Sequence, residues 1–324
     1  MVEIQRRSSC FDLKHFSKKF VGTRRHLVFL LAFGTLLLPS SNAHAEILFE
    51  GYSKVLLDGK HVGYIVQRYE YDTKKQEFTT AYYLKTSPVA GNITESLKAR
   101  STQALKPISF QFTELTGSHT KTIDAQFKND TMTALIDDGG KKETISKKIP
   151  KTSFLSSFLA YVMLNGKDGI KKGVKYSYSA IAEEDATLNS GEAFISGEEP
   201  TEGINAFKIL NTFKSAQFVS WCTYKGEVIA TRSPVQKIST ELVATAHEAT
   251  EGLTMSAAAL TQLFGNVPRG VDNPIARRSL EPAARVKTAE KPNNASADKT
   301  VEKPQDPQSP GPKAIESTET PKAN

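Results

Sequence analysis

The sequence predicts a mainly β protein: a large curved antiparallel sheet or open barrel packed around one central helix, with a short C-terminal helix and a disordered tail. Segments that alternate apolar and polar residues, or are rich in Thr, Val, Ile, Tyr and Phe, recur about every ten residues from Glu46 to about Glu248. One segment in the middle has helical spacing instead. No Phe, Tyr or Trp follows Phe264. A sheet of this size tends to curl or close.

The N-terminus has the layout of a secretory signal. Residues 27–38, "LVFLLAFGTLLL", form an apolar run that follows a basic segment and precedes the small-x-small pattern at 43–45. The run is shorter than the roughly 20 residues that a membrane-spanning helix needs. We predict a signal peptide over 1–45, cleaved after Ala45, a periplasmic or secreted location and no transmembrane span after cleavage. An uncleaved membrane anchor is the alternative.

Removal of this segment changes the charge and the cysteine count. The full chain carries a net charge of +7. Residues 46–324 contain 35 basic and 33 acidic residues, a net charge of +2, which gives no electrostatic support for nucleic-acid binding. Cys10 leaves with the signal, so Cys222 has no partner for an internal disulfide.

The predicted secreted domain, 46–265, consists of strands joined by turns, with one central helix and one terminal helix. Asp58-Gly59 predicts the first hairpin turn and Gly139-Gly140 a later one. Between the strands, "KTSFLSSFLAYVML" places apolar residues at helical spacing and predicts a central helix over 152–164. Strands then return, and a terminal helix is expected at about 254–264. Residues 266–324 are rich in Pro, Lys, Glu and Ala, and they predict a disordered tail.

Trp221 and Cys222 stand side by side in "QFVSWCTYKGEV". A nucleophilic thiol needs a base, and none of His61, His119 and His247 forms a local motif with Cys222. Strand alternation places the two side chains on opposite faces, which favours a core aromatic residue and a shielded thiol. No His or Cys pair has metal-ligand spacing, and no nucleotide-binding motif is present. We therefore expect no catalytic residue, no metal and no cofactor.

A curled sheet with a helix in its mouth forms an apolar pocket. We predict that Phe154, Phe158, Leu159 and Trp221 contact an apolar ligand such as a lipid, or an envelope polypeptide. The alternative is that these side chains simply fill the core. The same alternatives hold for the six tyrosines of the first three strands.

The chain resembles a family of bacterial envelope proteins of unknown function, whose secreted β-rich domain occurs alone or ahead of a transglutaminase-like domain. The resemblance covers about residues 46–250. It rests on ordered segments that include "GKHVGY", "GIKKGVKYSYSAI" and "SWCTYKGEVIATRSP". That family has Val-Asp where this chain has Cys222-Thr223, which indicates that the cysteine is a substitution in a structural strand. We expect no transglutaminase-like domain in residues 266–324, because they are predicted to form the tail.

These observations favour a non-enzymatic, secreted or periplasmic cell-envelope protein that binds an apolar ligand or an envelope polypeptide between sheet and helix. At the level of fold alone, the predicted shape is similar to the half-barrel carriers of lipoproteins. One alternative is an accessory or scaffold protein that acts through its surface, with the tail as a tether. A thiol enzyme that uses Cys222 is a further alternative.

Overall fold

A computed structural model describes residues 45–280; the predicted signal peptide up to residue 44 and residues 281–324 of the predicted tail lie outside the described residues. Within this range the chain forms fifteen strands and four α-helices. The strands are β1 Glu46–Leu57, β2 Lys60–Asp72, β3 Glu77–Thr86, β4 Ile93–Thr102, β5 Pro107–Thr116, β6 His119–Lys128, β7 Thr131–Asp138, β8 Lys141–Lys148, β9 Phe154–Leu155, β10 Lys175–Ala182, β11 Thr187–Thr201, β12 Ile204–Phe213, β13 Ala216–Cys222, β14 Val228–Ser233 and β15 Ile238–Val243. The helices are α1 Leu159–Asn165, α2 Ala246–Thr250, α3 Ala257–Phe264 and α4 Pro274–Leu280.

All fifteen strands belong to one sheet, which confirms the mainly β prediction. Strands β8 to β1 follow one another as neighbours, β1 then pairs with β15, and β15 to β9 complete the sheet. Every pairing is antiparallel except that of β9 with β10. The sheet is open, with β8 and β9 at its two edges. The predicted turns are present, since Asp58, Gly59, Gly139 and Gly140 all have positive φ.

The sheet curves around α1. In the order of the sheet, β3 and β12 stand six positions apart, about 29 Å in a flat sheet at about 4.8 Å per strand. Nevertheless, one short helix touches both. Tyr161 of α1 packs on Phe78 of β3, with 5.7 Å between ring centroids, and Met163 shares a hydrophobic cluster with Ile209 of β12. The sheet must therefore bend around the helix, as predicted.

The central helix is shorter than the predicted 152–164. Phe154–Leu155 form the edge strand β9, Ser156–Phe158 form a 3-10 turn, and α1 proper begins at Leu159. Two tertiary interactions override the helical periodicity. Phe154 pairs with Ala180 of β10, and the two serines of the turn donate to the buried carboxylate of Glu183.

Helices α2 and α3 cover the other face of the sheet. They bury a second cluster that includes Tyr52, Tyr64 and Tyr83 of the first three strands. The predicted terminal helix at 254–264 is present as α3, where the Ser256 side chain accepts a hydrogen bond from the Ala259 amide at 3.4 Å. On this face the tyrosines fill the core.

The predicted start of the disordered tail at 266 is wrong, because residues up to 280 are folded against the sheet. Glu50, which is 3% exposed, accepts hydrogen bonds from the amides of Arg269 and Gly270, both at 2.7 Å. Its other oxygen pairs with Arg68, which also donates to Asn266 at 2.8 Å. Composition alone cannot show that this segment folds. A polar segment can become ordered when it supplies hydrogen bonds to buried charged side chains elsewhere in the chain.

Candidate ligand-binding site

A buried carboxylate fixes the beginning of the α1 segment. Glu183, which follows β10, is 3% exposed. It accepts hydrogen bonds from the hydroxyls of Ser156 and Ser157, both at 2.6 Å, and from the Ser157 amide at 3.2 Å. Tyr69 of β2 donates to the Ser157 carbonyl at 2.6 Å. Burial raises the pKa of Glu183 above its ordinary value, although the three hydrogen bonds favour its charged form.

The end of α1 is fixed by a tyrosine. The Tyr176 hydroxyl of β10 lies 3.2 Å from the carbonyl oxygen of Met163 and 2.8 Å from that of Gly169. Gly166, between them, lies against the Tyr176 ring, where a Cβ atom would come within 2.8 Å. Both ends of this two-turn helix are thus tied to the sheet.

A cavity of about 170 Å³ lies between α1 and the sheet. We call it the α1 cavity. It is mostly apolar, and its lining contains no Asp, Glu, Lys, Arg or His. The lining residues are Tyr69, Ser156, Ser157, Leu159, Ala160, Met163, Ile209, Asn211, Phe218, Ser220, Cys222, Val228 and Thr231.

Asn211 is the polar side chain of this cavity with an unsatisfied atom. It is 3% exposed. Its Nδ2 donates to the Ile209 carbonyl at 3.1 Å and to Ser220 Oγ at 2.9 Å, whereas its Oδ1 is buried without a hydrogen-bond partner. The bond to a carbonyl, which can only accept, fixes the orientation of the amide. Sequence analysis missed Asn211, although "FKILNTF" carries a signal: an amide occupies the face that Phe207 and Ile209 share.

Cys222 lines the same cavity as a protonated thiol. It is fully buried, and burial raises its pKa to about 12, with Glu227 as a smaller cause. A reactive cysteine needs the opposite shift. Trp221 lies in a different environment. Its indole donates to Glu199 at 2.6 Å, and Lys208 and Arg232 each lie 5.8 Å from its ring.

The four predicted ligand contacts divide into two groups. Leu159 lines the α1 cavity, and with Phe154 it also lines a second depression of about 410 Å³ on the β10 side of α1. Phe158 and Trp221 border neither cavity. Phe158 has no exposed surface and packs its ring 6.1 Å from Tyr69, so it fills the core.

A surface depression of about 640 Å³ is lined mostly by charged and polar side chains of β1, β2, β14 and β15 and their turns. None of the buried unsatisfied polar atoms found in the described part of the chain belongs to its lining. Its size alone therefore does not indicate a ligand.

A second group missed by sequence analysis is a pair of carboxylates. Glu95 of β4 stands directly across from Glu114 of β5. Burial, followed by the charges of Glu114 and Glu184, raises the pKa of Glu95 to about 7.

Over residues 45–280, no group of three or more His, Cys, Asp and Glu side chains is placed to hold a metal ion. In the same range, no helix has the length and hydrophobicity to cross a bilayer.

No protein-family model and no curated protein matches this chain. The resemblance to the envelope family therefore stays a prediction. Among solved structures, the chain is similar to a beta-barrel-like protein of domain of unknown function DUF1849 from Brucella abortus. The TM-score is 0.43 at 9% identity, over 62% of this chain and 98% of that chain.

Proposed function

We propose that this protein is a non-enzymatic, secreted or periplasmic binding protein that holds a small, largely apolar ligand in the α1 cavity. The observation that carries the proposal is the α1 cavity itself, whose lining combines apolar side chains with a few uncharged polar ones, among them Ser156, Ser220 and Asn211. An apolar pocket with one or a few polar groups is the usual form of a small-molecule site.

The size of the cavity favours a small ligand or one end of a longer one. A cavity of about 170 Å³ is several times what one water needs. Leu159 and Met163 separate it from the depression on the β10 side, since both residues line both spaces. This arrangement offers apolar surface on two sides of α1.

The geometry favours binding over thiol chemistry. The lining of the α1 cavity contains no histidine to accept a proton from Cys222, and His119 instead lies 2.7 Å from Asp138 on a distant hairpin. With its pKa raised to about 12, the thiol stays protonated at neutral pH and is a poor nucleophile.

The first experiment is native mass spectrometry of residues 46–324, purified gently from the producing cell envelope. A bound mass of small-molecule size is the expected result. Thr231→Phe places a large side chain in the lining of the α1 cavity and should abolish that mass. Arg232→Phe is the matched control: it adds the same side chain at the next position of β14, where Arg232 lies over Trp221, and should retain the ligand.

Two results would contradict the proposal. The first is a bare protein mass for the unmodified chain together with no binding of added small apolar molecules. The second is a bound mass that Thr231→Phe leaves in place while the variant remains folded, because the ligand would then lie outside the α1 cavity.

A further inference from the structure

We propose that one edge of strand β10 binds an extended, acidic segment of another polypeptide, which joins the sheet as a further strand. This edge is the backbone of residues 175–179 on the side away from β11, and we call it the β10 edge. The proposal goes beyond the α1 cavity and does not require a ligand there.

The β10 edge has no strand beside it. On one side, β10 pairs with β11 over its whole length, Lys175–Ala182. On the other side, β9 pairs only with Ala180 and Ile181. Over residues 45–280, no backbone hydrogen bond outside the strand ladders involves residues 175–179. Alternate residues of this stretch therefore present N–H and C=O groups that an added strand can bind.

An apolar depression runs along this edge. It is the depression of about 410 Å³ on the β10 side of α1, and Tyr176, Ser177, Tyr178 and Ser179 all border it. Neighbouring side chains of a strand point to opposite faces, so a space that all four residues border extends along the edge of the strand. The rest of its lining is mostly apolar and consists of Thr152, Phe154, Leu159, Val162 and Met163. An added strand would place alternate side chains against this surface.

The opposite edge of the sheet is protected in a way that the β10 edge is not. Strand β8 has lysine at four of its eight positions, and all of its residues except Ile145 are exposed. Lysines on an edge strand oppose pairing with a further strand. The β10 edge has one lysine, Lys175, at its first position, and tyrosines and serines follow it. Four of its five residues thus lack that protection.

The charge beside the β10 edge indicates the kind of partner. Residue 151 and residues 166–175 contain five lysines and one acidic residue, Asp168. The five lysines are all exposed: Lys151, Lys167, Lys171, Lys172 and Lys175. One of them, Lys175, pairs with Glu192 at 2.9 Å. The lysines attract an acidic segment, and they oppose edge-to-edge pairing of two copies of this chain, because like charges would then meet.

The test measures the binding of fluorescent peptides to residues 46–324 by anisotropy at about 50 mM salt. The main probe is acetyl-Glu-Thr-Glu-Val-Glu-Thr-Glu-amide, called the glutamate probe. The second probe has Lys in place of every Glu. The third keeps the glutamates but is N-methylated at every interior residue, so it cannot donate from either edge. We expect the glutamate probe to bind at least about tenfold more tightly than either of the others.

Two further measurements locate the bound peptide. The glutamate probe should slow amide hydrogen exchange within residues 175–179 and leave exchange in β8 unchanged. The double variant Lys171→Glu, Lys172→Glu should bind this probe about three- to tenfold more weakly at low salt. The matched control is Lys141→Glu, Lys142→Glu, which makes the same change in charge on β8 and should keep the affinity.

Several results would overturn the proposal. They are equal binding of the glutamate probe and its N-methylated form, tighter binding of the lysine probe, and no binding of the glutamate probe at about 1 mM. Slow exchange at residues 175–179 that requires only a higher concentration of this chain would assign the β10 edge to a second copy instead.

The variant Thr231→Phe separates this proposal from the proposed function. It fills the α1 cavity, and it should bind the glutamate probe as tightly as the unmodified chain does. Loss of probe binding in the folded variant would place the peptide in the α1 cavity and overturn the proposal for the β10 edge. If small apolar molecules fail to bind while the glutamate probe binds as expected, the proposed function fails and the β10 edge remains supported.

Discussion

Replacing Glu95 by Gln should stabilise the protein at alkaline pH and leave its stability at acidic pH nearly unchanged. In the folded chain, Glu95 lies across from Glu114, and its pKa is raised to about 7 from the ordinary value of 4.5, with burial as the main cause. An unfolded chain removes both the burial and the fixed neighbour, so the unfolded pKa returns towards 4.5.

The sign follows from proton binding. Between pH 4.5 and about 7 the folded state holds the Glu95 proton and the unfolded state has lost it, so stability falls as pH rises through this window. The loss is complete above pH 7 and absent below 4.5. The full difference in pKa corresponds to about 3.4 kcal/mol. Because the side chain is only partly buried, solvent screening should reduce this to about 1–2 kcal/mol.

The assay is urea unfolding of the unmodified chain and of Glu95→Gln at about pH 5 and pH 8. The free energy of unfolding of the variant, relative to that of the unmodified chain, should rise by about 1–2 kcal/mol from pH 5 to pH 8. Glu114→Gln should give a smaller change of the same sign, because it removes one neighbouring charge and keeps the burial. Glu198→Gln, at an exposed position of β11, is the control and should change nothing. A stability difference that is independent of pH, or that favours the unmodified chain at pH 8, would refute the reasoning.

Two further predictions concern the folded C-terminal segment and the buried thiol. Deleting 281–324 should leave the urea midpoint of unfolding within error of that of the unmodified chain. Deleting 266–324 should destabilise the fold by at least about 3 kcal/mol, because Glu50 and Arg68 would lose buried partners. Equal midpoints for the two deletion variants would contradict this. At neutral pH, Cys222 should react with a thiol reagent far more slowly in the native chain than in urea, because it is buried and protonated. A labelling rate in the native chain that equals the rate in urea would contradict this prediction.

Local signals in the sequence predicted most of the sheet. Strand alternation and turns such as Asp58-Gly59 depend on a few neighbouring residues, and the structure has them where expected. The α1 segment was predicted too long because Phe154 and Leu155 pair with β10, and the helical periodicity of the segment does not show that pairing. The boundary of the tail at 266 was wrong for a related reason: the residues that hold 266–273 are Glu50 and Arg68, about 200 positions away.

The contacts of the candidate site depend on the register in which the strands pair, and no local sequence signal shows that register. Whether an inward polar residue such as Asn211 has a partner is decided by the strand opposite, where Ser220 satisfies one side of the amide and nothing satisfies the other. The same holds for Glu95, whose raised pKa needs Glu114 directly across the ladder. A polar residue at an apolar position is thus a detectable candidate, but only the pairing of strands decides its role.

The anchoring of α1 links the fold to the proposed site. A helix of seven residues is too short to be stable alone, so its position is set by its contacts. Glu183 holds the turn before it and Tyr176 its end, and both residues belong to the same edge of the sheet. The α1 cavity is therefore formed before any ligand binds. A ligand that enters it needs to order little of the protein, and more of its contact energy remains as affinity.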